Sequence, residues 1–272
     1  MRHLTHDGAE LYYEVHGRGD PLVLVHGSWT DHTSWNAVVA GFAESHTVVT
    51  YDRRGHSRST RLDEQGSRRR DEDDLAALIE HVAQAPAHVV ASSYGASIAL
   101  GVAARRPDLV RSVVAHEPPL LGVALPGEPR QNALDHIDEV VTRVATDLRC
   151  GDAERGARRF VEDAVLGPGA WEVLPAATRD VFVANAHMFL DMLGDPHWAD
   201  VPDAATHVPT MLTDGDASPS WLPAIVAALA DVWPGVARHT FGGAGHAPHL
   251  THPEEHVRVA HAFIERNQAA MR

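Results

Sequence analysis

Lysine is absent from this sequence: all 23 basic residues are arginine. Together with the abundant alanine, this reads as the codon bias of a GC-rich bacterial gene rather than as chemistry. Cysteine is almost absent too. The single Cys150 forbids an internal disulfide and fits a reducing compartment, so a cytoplasmic location is expected. No apolar run reaches membrane-spanning length, and the polar, charged N-terminus has no apolar h-region of a secretory signal. Positive charge is in deficit. Against 37 Asp and Glu, the formal net charge is -14, which argues against a nucleic-acid partner. Internal repeats and low-complexity linkers are also missing.

What remains is a chain of 272 residues, enough for one large domain or a domain with an insertion. A chain of that size buries about three quarters of its extended surface and needs neither disulfide nor metal to fold. Its 20 histidines are many. Most are expected to be solvated surface groups that charge as pH falls toward about 6.

The hydrophobic pattern alternates between two periods. Arg2 to Val15 reads as a hairpin turning on Asp7-Gly8. Pro21 to Val25 is a continuous apolar run, as expected of a strand buried on both faces of a parallel sheet, and it ends in His26-Gly27. A helix with Trp35, Val38, Val39 and Phe42 on one face should follow. Thr47–Tyr51 is the next strand, then a helix opened by the charge run Arg68 to Asp74, whose acids favour its N-terminus. His88 to Ala91 and Val110 to Ala115 are further buried strands, separated by a helix that stops at Arg105-Arg106-Pro107. This alternation predicts an α/β class with a mostly parallel sheet and right-handed crossovers. From 120 to 207 it stops. Helical faces at Ile137 to Leu148, Phe160 to Val165 and Val181 to Leu193 predict a helical cap inserted between core segments 1–119 and 208–272. Val208 to Thr213 resumes the sheet, with a helix from about Leu222 and a last strand near Val236 to Phe241. A terminal helix then carries Val257, Ala260, Phe263 and Ile264, with a capping box of Thr251 and Glu254 and with Pro253 in its first turn.

The chemistry centres on His88-Val89-Val90-Ala91-Ser92-Ser93-Tyr94-Gly95-Ala96, a buried strand, a sharp turn and a helix of small residues. A serine on such a strained turn is exposed for attack, and the positions two away must be small. Around Ser93 these are Ala91 and Gly95. Around Ser92 they are the bulky Val90 and Tyr94, so Ser93 is the candidate nucleophile. A serine hydroxyl needs a base within hydrogen-bond reach and a third group to orient that base. His246 follows the glycine-rich turn after the last strand and is the candidate base; His249 and His252 fall nearer the helix start. The acid is expected about three residues past the glycine after the resumed strand, but Ser218 stands there, with Asp214 and Asp216 out of phase. Glu117, at the end of the strand beside the turn, is the favoured acid, and Asp216 the alternative. The backbone N–H groups of Tyr94 and Ser28 are the expected oxyanion donors, Gly27 allowing close backbone approach. Trp29, Tyr94, His187 and Met188 are candidate pocket walls, with core packing as the competing role.

These pieces resemble a known family. Val25-His26-Gly27-Ser28-Trp29, Tyr51-Asp52-Arg53-Arg54-Gly55-His56-Ser57, Ala91-Ser92-Ser93-Tyr94-Gly95 and Gly245-His246 together resemble the α/β-hydrolases over nearly the whole chain. Ala115-His116-Glu117, and His246 followed by Thr251-His252-Pro253-Glu254-Glu255, resemble one subgroup, the zearalenone lactone hydrolases, in which the acid is a glutamate placed as Glu117 is. The resemblance implies an α/β-hydrolase fold and a serine hydrolase of a carboxylic ester, with a lactone as the favoured form. It implies no cofactor and no metal. A small-molecule ester or lactone is the expected partner; no nucleic acid or membrane is expected, and self-association is left open. Hydrolysis of a carbon–carbon bond on the same serine frame, or ligand binding without turnover, are the alternatives. His252-Pro253-Glu254-Glu255-His256 fits a zinc spacing, but Pro253 puts His252 at a helix boundary rather than inside the helix. Gly17-Arg18-Gly19 lacks the third glycine and the helix of a dinucleotide site.

Overall fold

The computed structural model describes residues 2–62, 66–123, 128–202 and 208–270. Eight strands form one sheet in the order β1-β2-β4-β3-β5-β6-β7-β8. They are β1 Arg2–His6, β2 Ala9–Gly17, β3 Asp20–Val25, β4 His46–Tyr51, β5 Ala87–Ser92, β6 Val110–His116, β7 Thr210–Gly215 and β8 Ala237–Phe241. β1 and β2 form the antiparallel edge, with Asp7 and Gly8 both at positive φ in the turn, and β2 runs antiparallel to β4. From β4 to β8 every pairing is parallel. The sheet order reverses at β3, which lies between β4 and β5. The carboxyl ends of strands beside such a switch point open into a crevice, the usual location of a ligand site in this architecture.

The period of two along the strands divides the core into two layers. Val23, Val25, Val89, Ala91, Val113, Ala115 and Leu212 face one side, under α2 Arg68–Leu78, α3 Tyr94–Arg105 and α9 Trp221–Val232. Leu22, Leu24, Val90, Val114 and Met211 face the other, under α1 Val39–Ala43 and α11 Pro253–Ala270. Burial on both faces is why these strands read as unbroken apolar runs.

Between β6 and β7 the chain forms α4 Glu128–Arg149, α5 Ala153–Arg159, a π-helical continuation at Phe160–Val165, α6 Ala170–Val173, α7 Ala176–Asn185 and α8 His187–Gly194. These helices share a core of their own, built on Val144, Val161, Trp171, Phe182 and Phe189, and Trp29 of the sheet domain enters it. The expected insertion boundary at His207 lies outside the described residues. Among the described residues no helix is long and apolar enough to cross a membrane.

Three local expectations are corrected. The helix expected after Gly27 is two short pieces, a 3₁₀ turn at His32–Trp35 and α1. Asp31 accepts the Thr33 N–H and its carbonyl takes the Ser34 hydroxyl, and such local bonds favour a turn over a continuous helix. The helix expected over Val181 to Leu193 is divided at Ala186 into α7 and α8, although Ala186 keeps helical dihedral angles, and the Asn185 side chain at the division bonds to another segment. The Thr251–Glu254 capping box does not form. Thr251 ends α10 Pro248–Thr251 and its hydroxyl donates to Ala247 O, while Pro253 opens α11.

Candidate active site

Ser93 follows β5 and immediately precedes α3, with φ 54° and ψ -128°. This backbone costs a non-glycine residue on the order of 1–3 kcal/mol and persists only where its surroundings hold it. The Ser93 N–H donates to His116 O at 2.8 Å, and its carbonyl accepts the Ala96 N–H at 2.8 Å. The small flanking residues have a visible cause. A Cβ on Gly95 would stand 2.4 Å from His26 O and 2.5 Å from Val25 O, and one on Gly27 would stand 3.1 Å from Ser93 Cβ. Ala91 is fully inside the core layer, where a methyl group is accommodated. Ser92 is buried at the strand end.

The loop carrying Ser28 is held through its carbonyls. His26 is buried, and its Nε2 accepts the Arg53 N–H at 2.9 Å. Its proton therefore sits on Nδ1, which donates to Gly27 O at 2.8 Å. Burial, reinforced by the Arg53 charge, pushes this imidazole down to about 3, so it stays neutral. Arg53 Nη2 also donates to Gly27 O, at 3.1 Å. Downstream, Asn185 Nδ2 donates to Trp29 O and Thr30 O. The Tyr94 N–H opens α3 and has no carbonyl one turn earlier to bond. Arg53 and Asn185 were not singled out from the sequence. Arg53 lay in a matched motif, whereas nothing local distinguishes Asn185 from any polar residue at a helix end.

His246 and Glu117 meet across the ends of β6 and β8. Glu117 Oε2 accepts from His246 Nδ1 at 2.6 Å, and Oε1 accepts the Gly215 N–H at 2.9 Å. Glu117 is fully buried and, like Ser93, is a non-glycine residue at positive φ, 43°. Burial alone would raise its pKa; the neighbouring His116 and His246 imidazoles outweigh that and hold the carboxyl below the usual carboxylate range. His116 donates or accepts at Thr213 Oγ1 (3.0 Å) and lies 3.5 Å from Glu117, and burial keeps it neutral by lowering its pKa. The other acids are engaged elsewhere. Asp216 accepts the Gly243 N–H at 2.6 Å, and Asp214 pairs with Arg238 at 3.2 Å. Ser218 sits in the turn after β7, its N–H on Gly215 O.

Ser93, His246 and Ser28 open onto two cavities. The larger, about 480 Å³, runs from Thr30, Asp31 and Ser34 on the sheet side to Leu174, Val181 and Phe182 on the helical side. The smaller, about 50 Å³, is walled by apolar groups including Val140, Val141, Ala164, Trp198 and Trp221. Phe160 and Val165 line both. Of the expected pocket walls, Trp29, Tyr94 and Met188 instead surround a third, smaller space beside Ser28, together with Arg53 and Asp71. Trp29 stacks on Phe160 with ring centroids 4.9 Å apart, and Arg53 lies 5.1 Å over the Tyr94 ring. His187 is a correction. It lines none of these spaces, because its Nδ1 turns back to Ala184 O at the start of α8.

Among the described residues, two clusters have the composition of a metal site: His116, Glu117 and His246, and Asp31, His32 and Asp52. In the first, an ion would have to replace the 2.6 Å His246–Glu117 bond. In the second, Asp52 Oδ1 already accepts from His32 N and Nδ1, its Oδ2 takes the Arg58 N–H, and Asp31 is bonded by Thr33 and Ser57. Neither donor set is left open for a cation. The zinc spacing at 252–256 is not assembled: His256 is buried against Phe241, whereas His252 is bonded to Thr251.

A serine on a strained turn and an imidazole fixed by a buried carboxylate are parts of a hydrolytic centre. Residues 22–259 match the Alpha/beta hydrolase family, and the chain belongs to it. Its relatives include an esterase. It is 30% identical to a pimeloyl-[acyl-carrier protein] methyl ester esterase of Methylococcus capsulatus, over 93% of this chain and 98% of that one. It is 36% identical to the uncharacterized hydrolase YraK of Bacillus subtilis over 52% of this chain, spanning 56% of that protein. In fold it is similar to the enol-lactonase of Burkholderia xenovorans LB400, with a TM-score of 0.78, 21% identity and coverage of 97% and 100% of the two chains.

Proposed function

We propose that the protein is a serine hydrolase of carboxylic esters, with a lactone as the favoured substrate form, acting through Ser93, His246 and Glu117. Ser93 Oγ attacks the acyl carbon while His246 takes its proton. The oxyanion of the tetrahedral intermediate is bound by the Ser28 and Tyr94 N–H groups. His246 returns the proton to the leaving alkoxide, which departs as the alcohol. Water, activated by the same imidazole, then splits the acyl-enzyme to the carboxylic acid and free Ser93. In a lactone the alcohol remains tethered to the acid, and both leave as one hydroxy acid.

The observation that carries this reading is the 2.6 Å bond from His246 Nδ1 to a fully buried, ionised Glu117. That bond leaves Nε2 as the basic nitrogen of a residue sharing two cavities with Ser93. The names of the relative, a methyl ester esterase, and of the protein similar in fold, an enol-lactonase, support an ester bond as the target. The glutamate beside the serine turn is the feature that resembles the zearalenone lactone hydrolase subgroup. The helices over the site act as a lid in this reading and shape the substrate cavities.

The test is labelling by a fluorophosphonate together with hydrolysis of a short p-nitrophenyl ester. Stoichiometric labelling at Ser93, lost in Ser93→Ala along with turnover, is expected. An unlabelled wild-type protein would sink the serine mechanism and favour a binding role.

A further inference from the structure

We propose that Asn185 is a positioning residue through which the seating of α7 and α8 sets the oxyanion loop; this rests on the serine-hydrolase reading above. Asn185 ends α7 and is buried, 2% exposed. Its side chain leaves the helical layer and crosses to the sheet domain. Nδ2 lies 3.3 Å from Trp29 O, 3.2 Å from Thr30 O and 3.2 Å from Ser57 Oγ, and Oδ1 accepts the Ser57 N–H at 2.8 Å. One amide group thus joins two loops that are far apart in sequence.

Two of the three residues that it grips are strained. Trp29 has φ 67° and Ser57 has φ 43°, left-handed conformations that a non-glycine residue keeps only when its surroundings hold it. Ser57 Oγ passes the constraint on by donating to Asp31 Oδ2 at 2.8 Å. The Ser28 N–H belongs to a segment fastened on both sides. Upstream, Gly27 O is held by His26 and Arg53 of the sheet domain. Downstream, the next two engaged carbonyls are held, among the described residues, by Asn185 of the helical layer. Backbone donors contribute to catalysis only when they are aimed at the developing charge beforehand. The geometry therefore makes correct aim of the Ser28 N–H conditional on the helical layer being docked. Asparagine suits the role because it offers both donors and an acceptor; aspartate of the same shape has no donor and would set a charge against two carbonyl oxygens.

The experiment compares wild type, Asn185→Ala, Asn185→Asp and Trp171→Leu. The last is a control that disturbs the same helical core without touching these bonds. The first readout is amide hydrogen exchange of a peptide spanning 27–31, which requires no turnover. Exchange there should accelerate by about tenfold or more in both Asn185 variants, as expected when a segment opens locally, and should match wild type in the control. The second readout is kinetic. With a short p-nitrophenyl ester, kcat should fall roughly 10- to 100-fold, below the roughly 10²–10³ of a lost oxyanion donor, with KM nearly unchanged. Affinity for a trifluoromethyl ketone, whose adduct puts an oxyanion in the hole, should fall by the same factor as kcat. Unchanged exchange at 27–31, or equal acceleration in Trp171→Leu, would overturn the proposal. If the wild type fails to label with fluorophosphonate, the serine mechanism falls separately, and the exchange comparison still decides whether Asn185 holds the loop.

Discussion

Glu117 Oε2 and His246 Nδ1 lie 2.6 Å apart although 129 positions separate them in the chain. The strand ends of β6 and β8 bring them together across β7, whose Gly215 N–H occupies the other carboxylate oxygen. Gly215 cannot be larger, since a Cβ there would stand 2.2 Å from Ala244 O. The acid therefore reaches the base from the strand adjoining the serine turn.

In Glu117→Gln an amide N–H₂ can face His246 Nδ1 and favour the tautomer with its proton on Nε2, where the imidazole cannot accept a proton from Ser93. Loss of about 10³–10⁴ in kcat is expected, comparable to the amide substitution in other triads. Asp216→Asn, whose side chain bonds only the Gly243 N–H among the described residues, should stay within about twofold, since it changes a surface turn. Steady-state rates of the two variants decide the matter. Collapse of Asp216→Asn with survival of Glu117→Gln would reverse the assignment.

Gly95→Ala tests the packing of the serine turn. A methyl group there meets two backbone oxygens at 2.4 and 2.5 Å. Neither oxygen belongs to a flexible side chain, so the start of α3 must move away from β3 and carry the Tyr94 N–H with it. Destabilisation of about 1–3 kcal/mol is expected from overpacking, together with a kcat loss exceeding tenfold. A variant that matches wild type in thermal melting and rate would show that the close approach is not required.

The buried histidines predict acid sensitivity. His256 and His26 are fully buried and held down to about 3 by desolvation, first of all. Their folded-state pKa values lie below the unfolded value of 6.5, so the unfolded chain binds more protons between those limits. Stability is therefore fully present above about 6.5 and is lost as pH falls toward 3, by about 1.4 kcal/mol per pH unit for each ring. His256 stacks on Phe241, and its Nδ1 has no hydrogen-bond partner among the described residues. His256→Phe should consequently narrow the drop in melting temperature between pH 7.5 and 5 by several degrees. An identical pH dependence in wild type and variant would refute the assignment of this ring as neutral and buried.

Phe160 lines both cavities at Ser93 and stacks on the Trp29 ring. Phe160→Ala should merge the cavities. The ratio of kcat/KM for a bulky acyl ester over an acetyl ester should rise about tenfold, the scale on which an apolar pocket discriminates by size. The variant should also melt lower, since a truncated core aromatic costs about 3–5 kcal/mol when fully buried and less here. Competition between the two esters measures the ratio directly; an unchanged ratio would mean that the small cavity takes no part in binding.

The sequence alone determined the alternation of buried strands and helices, the serine turn and the histidine after the last strand. Each rests on residues close in the chain, where periodicity and the demand for small side chains leave a readable pattern. It also pointed to Glu117, because the usual acid position holds a serine that cannot carry charge. What it could not determine are relations between distant segments. The helix expected after Gly27 became two pieces because Asp31 bonds its own neighbours, and the helix expected from Val181 to Leu193 divided where Asn185 reached across to Trp29 and Thr30. His187 turned to its own helix, leaving Phe160 to face the serine. Only the tertiary structure decided these, since a side chain's partner is set by which loops the sheet order brings together and not by its local sequence.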